Sequence, residues 1–465
     1  MSKVNTGLFI FHRDLRMVDN VGLYEANQQC SKLYTCFIFT PSQVGDQNNY
    51  RSNNAIQFMI ESLDELSKEI SHKNGQLMTF YGNQETILKK IINTLKIDCV
   101  YFNKDYSPYA VLRDEATETL CKTMDVSCQM FSDYYLFEPG TVTSSGSKQG
   151  YKKYTPFYDD VIHNPVKLPV KIVSYHFAKS SVLLENKISL EIAFTKFTKK
   201  NPNILVVGGR THGLEKMKLV LQTQQKYDEN RDFFTYKTSH LSSYIKFGCV
   251  SVREVYHSFK KKFGLKHGII RELIWRDFFA HVLYDYPEVV GKSYQQKYRN
   301  LKWNTSKVAF KKWTEGKTGY PIVDACMREL NTTGYMHNRG RMTVASFLIK
   351  VLLIDWRWGE KYFAQNLTDY DIASNNGNWQ GISGTGVDMK PYFRTMNPWI
   401  QSFKFDPKTE YIKKWVPELK DVDSRDIHHW DTAFAGEKYK HVNYPKPMVD
   451  YETQKEKMLD FYKNA

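Results

Sequence analysis

The chain has no apolar run long enough to cross a bilayer, and its first residues, MSKVNTGLFIF, carry no signal-peptide pattern. A membrane-bound or exported protein is therefore not expected. Cysteine is sparse and unpaired in pattern: Cys30, Cys36, Cys99, Cys121, Cys128, Cys249 and Cys326 include no CxxC pair. An odd count without a framework argues for reduced thiols, hence a cytoplasmic or nuclear location, and against a zinc knuckle; no metal site is expected. There is no internal repeat, and no long low-complexity extension follows Tyr451. Negative charge is short: 50 acidic against 65 basic residues give a net charge of +15. That imbalance favours a polyanionic partner, nucleic acid first, although a generic basic protein explains charge alone equally well. Gly208-Gly209 reads as a turn rather than a phosphate loop.

What is present is length and aromatic content. A chain of 465 residues suggests two or three domains. Its 31 Tyr, 28 Phe and 9 Trp serve large cores or stacking surfaces for flat ligands. Short β-rich runs at Leu8 to Phe11, Leu33 to Phe39, Leu77 to Tyr81 and Cys99 to Phe102 alternate with helical periodicity at Asn53 to Ile70 and Glu85 to Leu95. Strands alternating with helices predict an α/β, doubly wound parallel-sheet domain over residues 1–131. Patterning fades over 132–203, an interdomain linker. There ten Lys face four acids between Lys148 and Lys200, a solvated face first and a DNA-attracting flank second. From 204 to 465 the pattern is helical, beginning with a periodic helix from His212 to Tyr227.

Several spacings put chemistry on one face. Asn338, Arg341 and Met342 stand at i, i+3 and i+4, an odd set for a core and apt for a pocket. Glu272, Trp275 and Arg276 repeat that spacing; a Trp buried beside an internal salt bridge is the plainer reading. Asp371, Asn375 and Trp379 recur every four residues, but their Asn-Asn-Gly is a poor helix former, so tertiary contacts must impose the helix. Thr238-Ser239-His240-Leu241-Ser242 is either an ordinary N-cap or a set of hydroxyls and free N–H groups suited to pyrophosphate. Arg13, Asp14 and Arg16, after the first strand, read as a surface ion-pair cluster rather than catalytic groups. Asn103, Lys104 and Asp105 end a strand, where open α/β sheets bind ligands.

The ordered set GKTGYPIVDACMREL, MHNRGRM, LIDWRWGEKYF and DYDIASNNGNW closely resembles the flavin-binding core of the photolyase/cryptochrome family, and the likeness spans nearly the whole chain. Within the family it is most like class I-type cyclobutane pyrimidine dimer photolyases. The N-terminal HRDLRMVDN resembles the family signature, with His12 where Arg is commoner, and Tyr154 to Phe157 resembles its interdomain segment. The resemblance implies an all-α C-terminal domain that binds FAD. It also implies light-driven repair of DNA containing pyrimidine dimers, carried out by a monomer. An antenna chromophore, a folate or a deazaflavin, is a further expectation without a local pattern to decide it.

Residue roles follow from the same resemblance. The TSxLS run, with Tyr227, matches the family's hold on the FAD phosphates. Arg341 and Asp369 match an ion pair over the flavin ring, Asp371 and Asn375 the ring edge (Asn375 near N5), and Arg276 a group near the flavin. Glu272 would hydrogen-bond the damaged pyrimidines and Trp275 would stack on them. Trp379, Trp356 and Trp303 match an electron-transfer triad. Asn338 and Met342 stand where enzymes for (6-4) photoproducts carry His, and His337 would point elsewhere. Arg339 matches a DNA-backbone contact, with Lys390, Arg394 and Lys404 extending a basic rim. One departure is clear: the family's Trp-x-Trp is here Trp379-Gln380-Gly381, and the lost aromatic wall is worth about 1–3 kcal/mol of stacking unless Met389, Trp399 or Tyr392 replaces it. A cryptochrome without repair, favoured by Gly381 and disfavoured by the short tail, and (6-4) repair are the alternatives.

Overall fold

Five strands form one parallel sheet in the order β3-β2-β1-β4-β5: β1 Val4–Phe11, β2 Cys30–Phe39, β3 Leu77–Tyr81, β4 Cys99–Asn103 and β5 Ser127–Phe131. This computed structural model describes residues 4–464 apart from 145, 147, 183, 389, 390 and 435. β1, β2 and β4 are apolar almost throughout because both faces are covered, as parallel sheets require. Alternation sorts the faces. Leu8, Ile10, Cys36, Ile38 and Val100 pack with Ile87, Leu88 and Ile91; Phe9, Phe11, Phe37 and Phe39 pack with Leu23, Leu63 and Leu66. The covering helices are α1 Val21–Gln29, α2 Asn53–His72, α3 Gln84–Leu95 and α4 Pro108–Thr123, capped by Asn20, Ser52, Asn83 and Ser107.

The first βα turn is buried, which corrects the surface reading of Arg13, Asp14 and Arg16. Asp14 is 0% and Arg16 2% exposed. The turn lies under the helical part of the chain: the Leu15 N–H donates to Phe247 O at 3.0 Å. Arg16 meets Asp133 at 2.6 Å, and Asp133 in turn accepts from Arg253 at 2.7 Å. Asn103 is consumed here, donating to Asp14 at 2.6 Å and accepting from the Gly22 N–H at 2.9 Å.

The segment 132–203 folds back on the sheet, pairing Leu33 with the chain at His176 and Ala178. All ten of its lysines are exposed. Its helix α5, Tyr154–Val161, packs on α8, Gly268–Asp285. Between them stand α6, Arg210–Thr223, which ends at Gln224 rather than running to Tyr227, and α7, Ser242–Lys246. Further on are α9 Asn338–Ser346, α10 Trp356–Asn366 and α11 Ile372–Ser383. No helix among the described residues is long and apolar enough to cross a membrane.

Candidate functional site

α7, α8, α9 and α11 enclose a cavity of about 590 Å³, within the range of small-molecule sites. Tyr227, Ser239, Leu241, Ser242, Glu272, Trp275, Arg276, Asn338, Arg339, Arg341, Met342, Asp369 and Asp371 all border it. The local reasons are plain. His337 accepts from the Arg339 N–H and starts α9, so Asn338, Arg341 and Met342 share the inward face. His337 is thus a cap rather than a helix residue, and burial, overriding Asp232, lowers its imidazole to about 4. Asp371 accepts from the Ser374 N–H and starts α11, which supplies the contact that Asn-Asn-Gly needs to be helical.

Arg341 Nη2 and Ser242 Oγ both donate to Asp369 Oδ2, at 2.9 and 2.6 Å, while buried Asp369 Oδ1 has no partner among the described residues. Asp371 meets Arg13 at 3.0 Å. Burial would raise the Asp371 carboxyl, but Arg13 and then Arg276 override it and hold it at about 2. Glu272 pairs with Arg231; burial pushes its carboxyl up against the pull of that guanidinium. Trp275 borders the cavity with one face stacked on Tyr154, centroids 3.5 Å apart at 5°.

Asn375 and Trp379 line an adjoining cavity of about 110 Å³ that shares Asn338, Arg341 and Asp371. Asn375 Nδ2 donates to Glu360 Oε1 at 2.8 Å and to Glu360 O at 3.0 Å, so its free group is the acceptor oxygen. Burial raises Glu360 to about 6. The ring neighbours of Trp379 are Phe363 at 4.9 Å and Trp313 at 6.3 Å. Among the described residues no ring contact joins it to buried Trp356, and Trp303 packs apart on Phe461 at 5.1 Å.

Other expected residues fall outside the cavity. Thr238 bonds the Tyr335 hydroxyl at 3.2 Å, and His240 lies edge-on to the same ring, behind the wall. Arg339 does border the cavity, but it is engaged by Asp232 and lies over Phe405 at 4.1 Å. Arg394 borders a cavity of about 220 Å³ beside the main one, and Lys404 is exposed. Lys390 and Met389 lie outside the described residues. At Gly381 the wall is open: an added Cβ would find only Asp388 O, at 3.7 Å. Trp399 stacks on Tyr320 and Tyr392 on Tyr462, and neither borders the cavity, so neither replaces the missing indole. Sequence reasoning missed Lys246 and Ile382. Lys246 was findable, since it stands four residues after Ser242.

Residues 8–170 match the family model for DNA photolyase, and residues 269–464 match that for the FAD binding domain of DNA photolyase. The chain belongs to the photolyase/cryptochrome family. It is 32% identical over 473 residues to the deoxyribodipyrimidine photo-lyase of Synechococcus sp., covering 98% of this chain and 96% of that one. An archaeal photolyase from Sulfolobus tokodaii, described with two FAD molecules, superposes with TM-score 0.88 at 39% identity, covering 99% of this chain and 100% of that one. A class III photolyase from Agrobacterium tumefaciens gives 0.90 at 31%, covering 99% and 98%.

Proposed function

We propose that this chain is a light-driven DNA lyase that binds FAD non-covalently and splits cyclobutane pyrimidine dimers. The observation that carries the reading is the polar lining of the main cavity and of the smaller one adjoining it. Ser239 offers a hydroxyl for a diphosphate, Ser242 ties its own to Asp369, and Asp369 Oδ1, without a partner among the described residues, awaits an N–H or O–H. The Asn375 acceptor suits a protonated ring nitrogen, and Asp371, fully ionised, fixes the polarity of that edge. Reduced FAD, when excited, supplies the electron that opens the cyclobutane ring.

The chain's own residues do the rest. A flipped dimer, already weakly stacked, would enter beside Trp275, whose far face Tyr154 supports. Glu272 would accept its imide N–H, with Arg231 holding the carboxylate in place. Asn338 would orient the dimer and Met342 would line its apolar side. Arg339, Arg394 and Lys404 would meet phosphates, and Trp379, Trp356 and Trp303 would relay electrons to the flavin. The finer parts belong to the same proposal. Class I-type grouping is supported by the motif set, a monomer by a cavity enclosed within one chain, and a cytoplasmic or nuclear location by seven free cysteines. For the antenna, the two FAD molecules of the Sulfolobus structure add a flavin to the folate and deazaflavin candidates.

The test is repair of defined dimer, (6-4) and undamaged oligonucleotides by protein carrying reduced FAD, in blue light and in darkness. Light-dependent loss of the dimer alone is expected. Intact dimers under light would overturn the reading, and selective loss of the (6-4) lesion would redirect it.

A further inference from the structure

Lys246 is the last residue of α7, one turn after Ser242 on the same face, and both border the main cavity. Lys246 also borders a side chamber of about 110 Å³ that reaches Asp105, Tyr106 and Ser107 at the end of β4. It therefore forms part of the partition between the two. Its ammonium lies 4.5 Å from the Phe247 ring centroid and has no hydrogen bond or ion pair among the described residues. The nearby carboxylates are committed elsewhere, since Arg13 holds both Asp105 and Asp371 at 2.8 and 3.0 Å. A second cation, Arg276, faces it across the main cavity. The phenols of Tyr106, Tyr135 and Tyr370 complete the chamber, and burial keeps them neutral.

A cation so placed is costly until an anion arrives, because water is withdrawn and two guanidiniums repel it. Burial first, then Arg13, lowers the amine to about 8. We infer that Lys246 is a binding residue whose ammonium pairs with an anionic dinucleotide in the main cavity, and that wherever the amine is neutral beforehand, binding draws a proton onto it. This rests on the FAD reading above. The negative charge is the shared chemistry of the diphosphate and of the reduced ring. No electron moves in this step: the neutral amine gains one proton from solvent, and the ligand gains an ammonium partner.

Calorimetry of FAD binding to apoprotein, in two buffers of different ionisation enthalpy, reads that proton directly. Close to one proton per FAD is expected at about pH 9, with FAD affinity falling up to about tenfold per pH unit above the amine's value. Asp277, which burial raises to about 7 despite Arg276, is ionised there and does not contribute. Lys246→Met should bind FAD more weakly, without proton uptake. Lys246→Arg, charged throughout, should bind well, also without uptake, and guards against a variant that misfolds. ADP identifies the charge: uptake with ADP assigns it to the diphosphate, and uptake confined to dithionite-reduced FAD assigns it to the ring; either supports the inference. Binding of both oxidised and reduced FAD with no uptake in the native protein, or with uptake kept in Lys246→Met, would overturn it alone. Failure to bind FAD at all would overturn the flavoprotein reading as well.

Discussion

Arg13 and Asp371, 358 positions apart in sequence, meet at 3.0 Å, so a turn of the sheet domain grips the start of α11 at the cavity's edge. The same guanidinium holds Asp105 at 2.8 Å, making one cation the hinge pin between sheet, cavity and side chamber.

Breaking that grip should be costly. Both side chains are largely buried, so Arg13→Ala should destabilise the fold by about 3–5 kcal/mol, read from denaturant midpoints. The pH dependence follows from the depressed Asp371 carboxyl. A group held at about 2 against an ordinary 3.8 contributes roughly 2 kcal/mol above the unfolded value. That stability is lost as pH falls from the ordinary value to the depressed one. Asp371→Asn should flatten this acid limb, and an unchanged limb would refute the assignment.

Glu272 should impose the opposite kind of sensitivity on lesion binding. Burial raises its carboxyl despite Arg231, so protonation begins above the ordinary range near 4.3. Only the ionised form accepts from a pyrimidine imide with both oxygens. Affinity for dimer-bearing duplex should therefore fall on acidification before the ordinary carboxylate range is reached, where unshifted carboxylates stay charged. Glu272→Gln should bind more weakly at neutral pH and lose this dependence. Filter-binding or anisotropy titrations against intact duplex separate it from general acid effects.

The two walls of the pocket should respond in opposite senses. Trp275→Ala removes a stacking face and should weaken lesion binding by about 1–3 kcal/mol. Gly381→Trp puts an indole where an added Cβ has space, so it should tighten binding by a comparable amount without unfolding the protein. Gly381→Ala, which leaves the wall open, should only stabilise the helix, by about 0.5–1 kcal/mol. Weaker lesion binding by Gly381→Trp would show that the open wall serves a bulkier ligand.

Trp379 should matter for charging the cofactor rather than for repair itself. It lines the second cavity beside Asn375, and its ring meets Phe363 and Trp313. Trp379→Phe should reduce photoreduction of bound oxidised FAD to the background rate, while chemically reduced protein still repairs dimers. Flavin absorbance under steady illumination, with an added thiol as electron source, is the measurement.

Much of this was legible in the sequence, for identifiable reasons. β1 to β4 show as apolar runs because both of their faces are covered. β5, SCQMF, does not, since it is a partly exposed edge strand with mixed polarity. The faces of α8 and α9 were readable because a cavity lined by helices inherits their i, i+3, i+4 spacing. Burial of Arg13, Asp14 and Arg16 was not readable. Charged residues in a turn normally face water, and only the long-range partners Asp371, Asp133 and Arg253 reveal the interior network. Nor could spacing show that Trp399 and Tyr392 stack elsewhere, or that Lys246 has no hydrogen-bond or ion-pair partner among the described residues.

Buried Asp133, two residues after β5, has Arg16 from the sheet domain on one side and Arg253 from the helical domain on the other. Neither half can be separated without stranding an uncompensated ion in an apolar interior. The segment between the domains is thus a keystone rather than a tether. Recombining a sheet domain from one relative with a helical domain from another would succeed only where all three residues travel together.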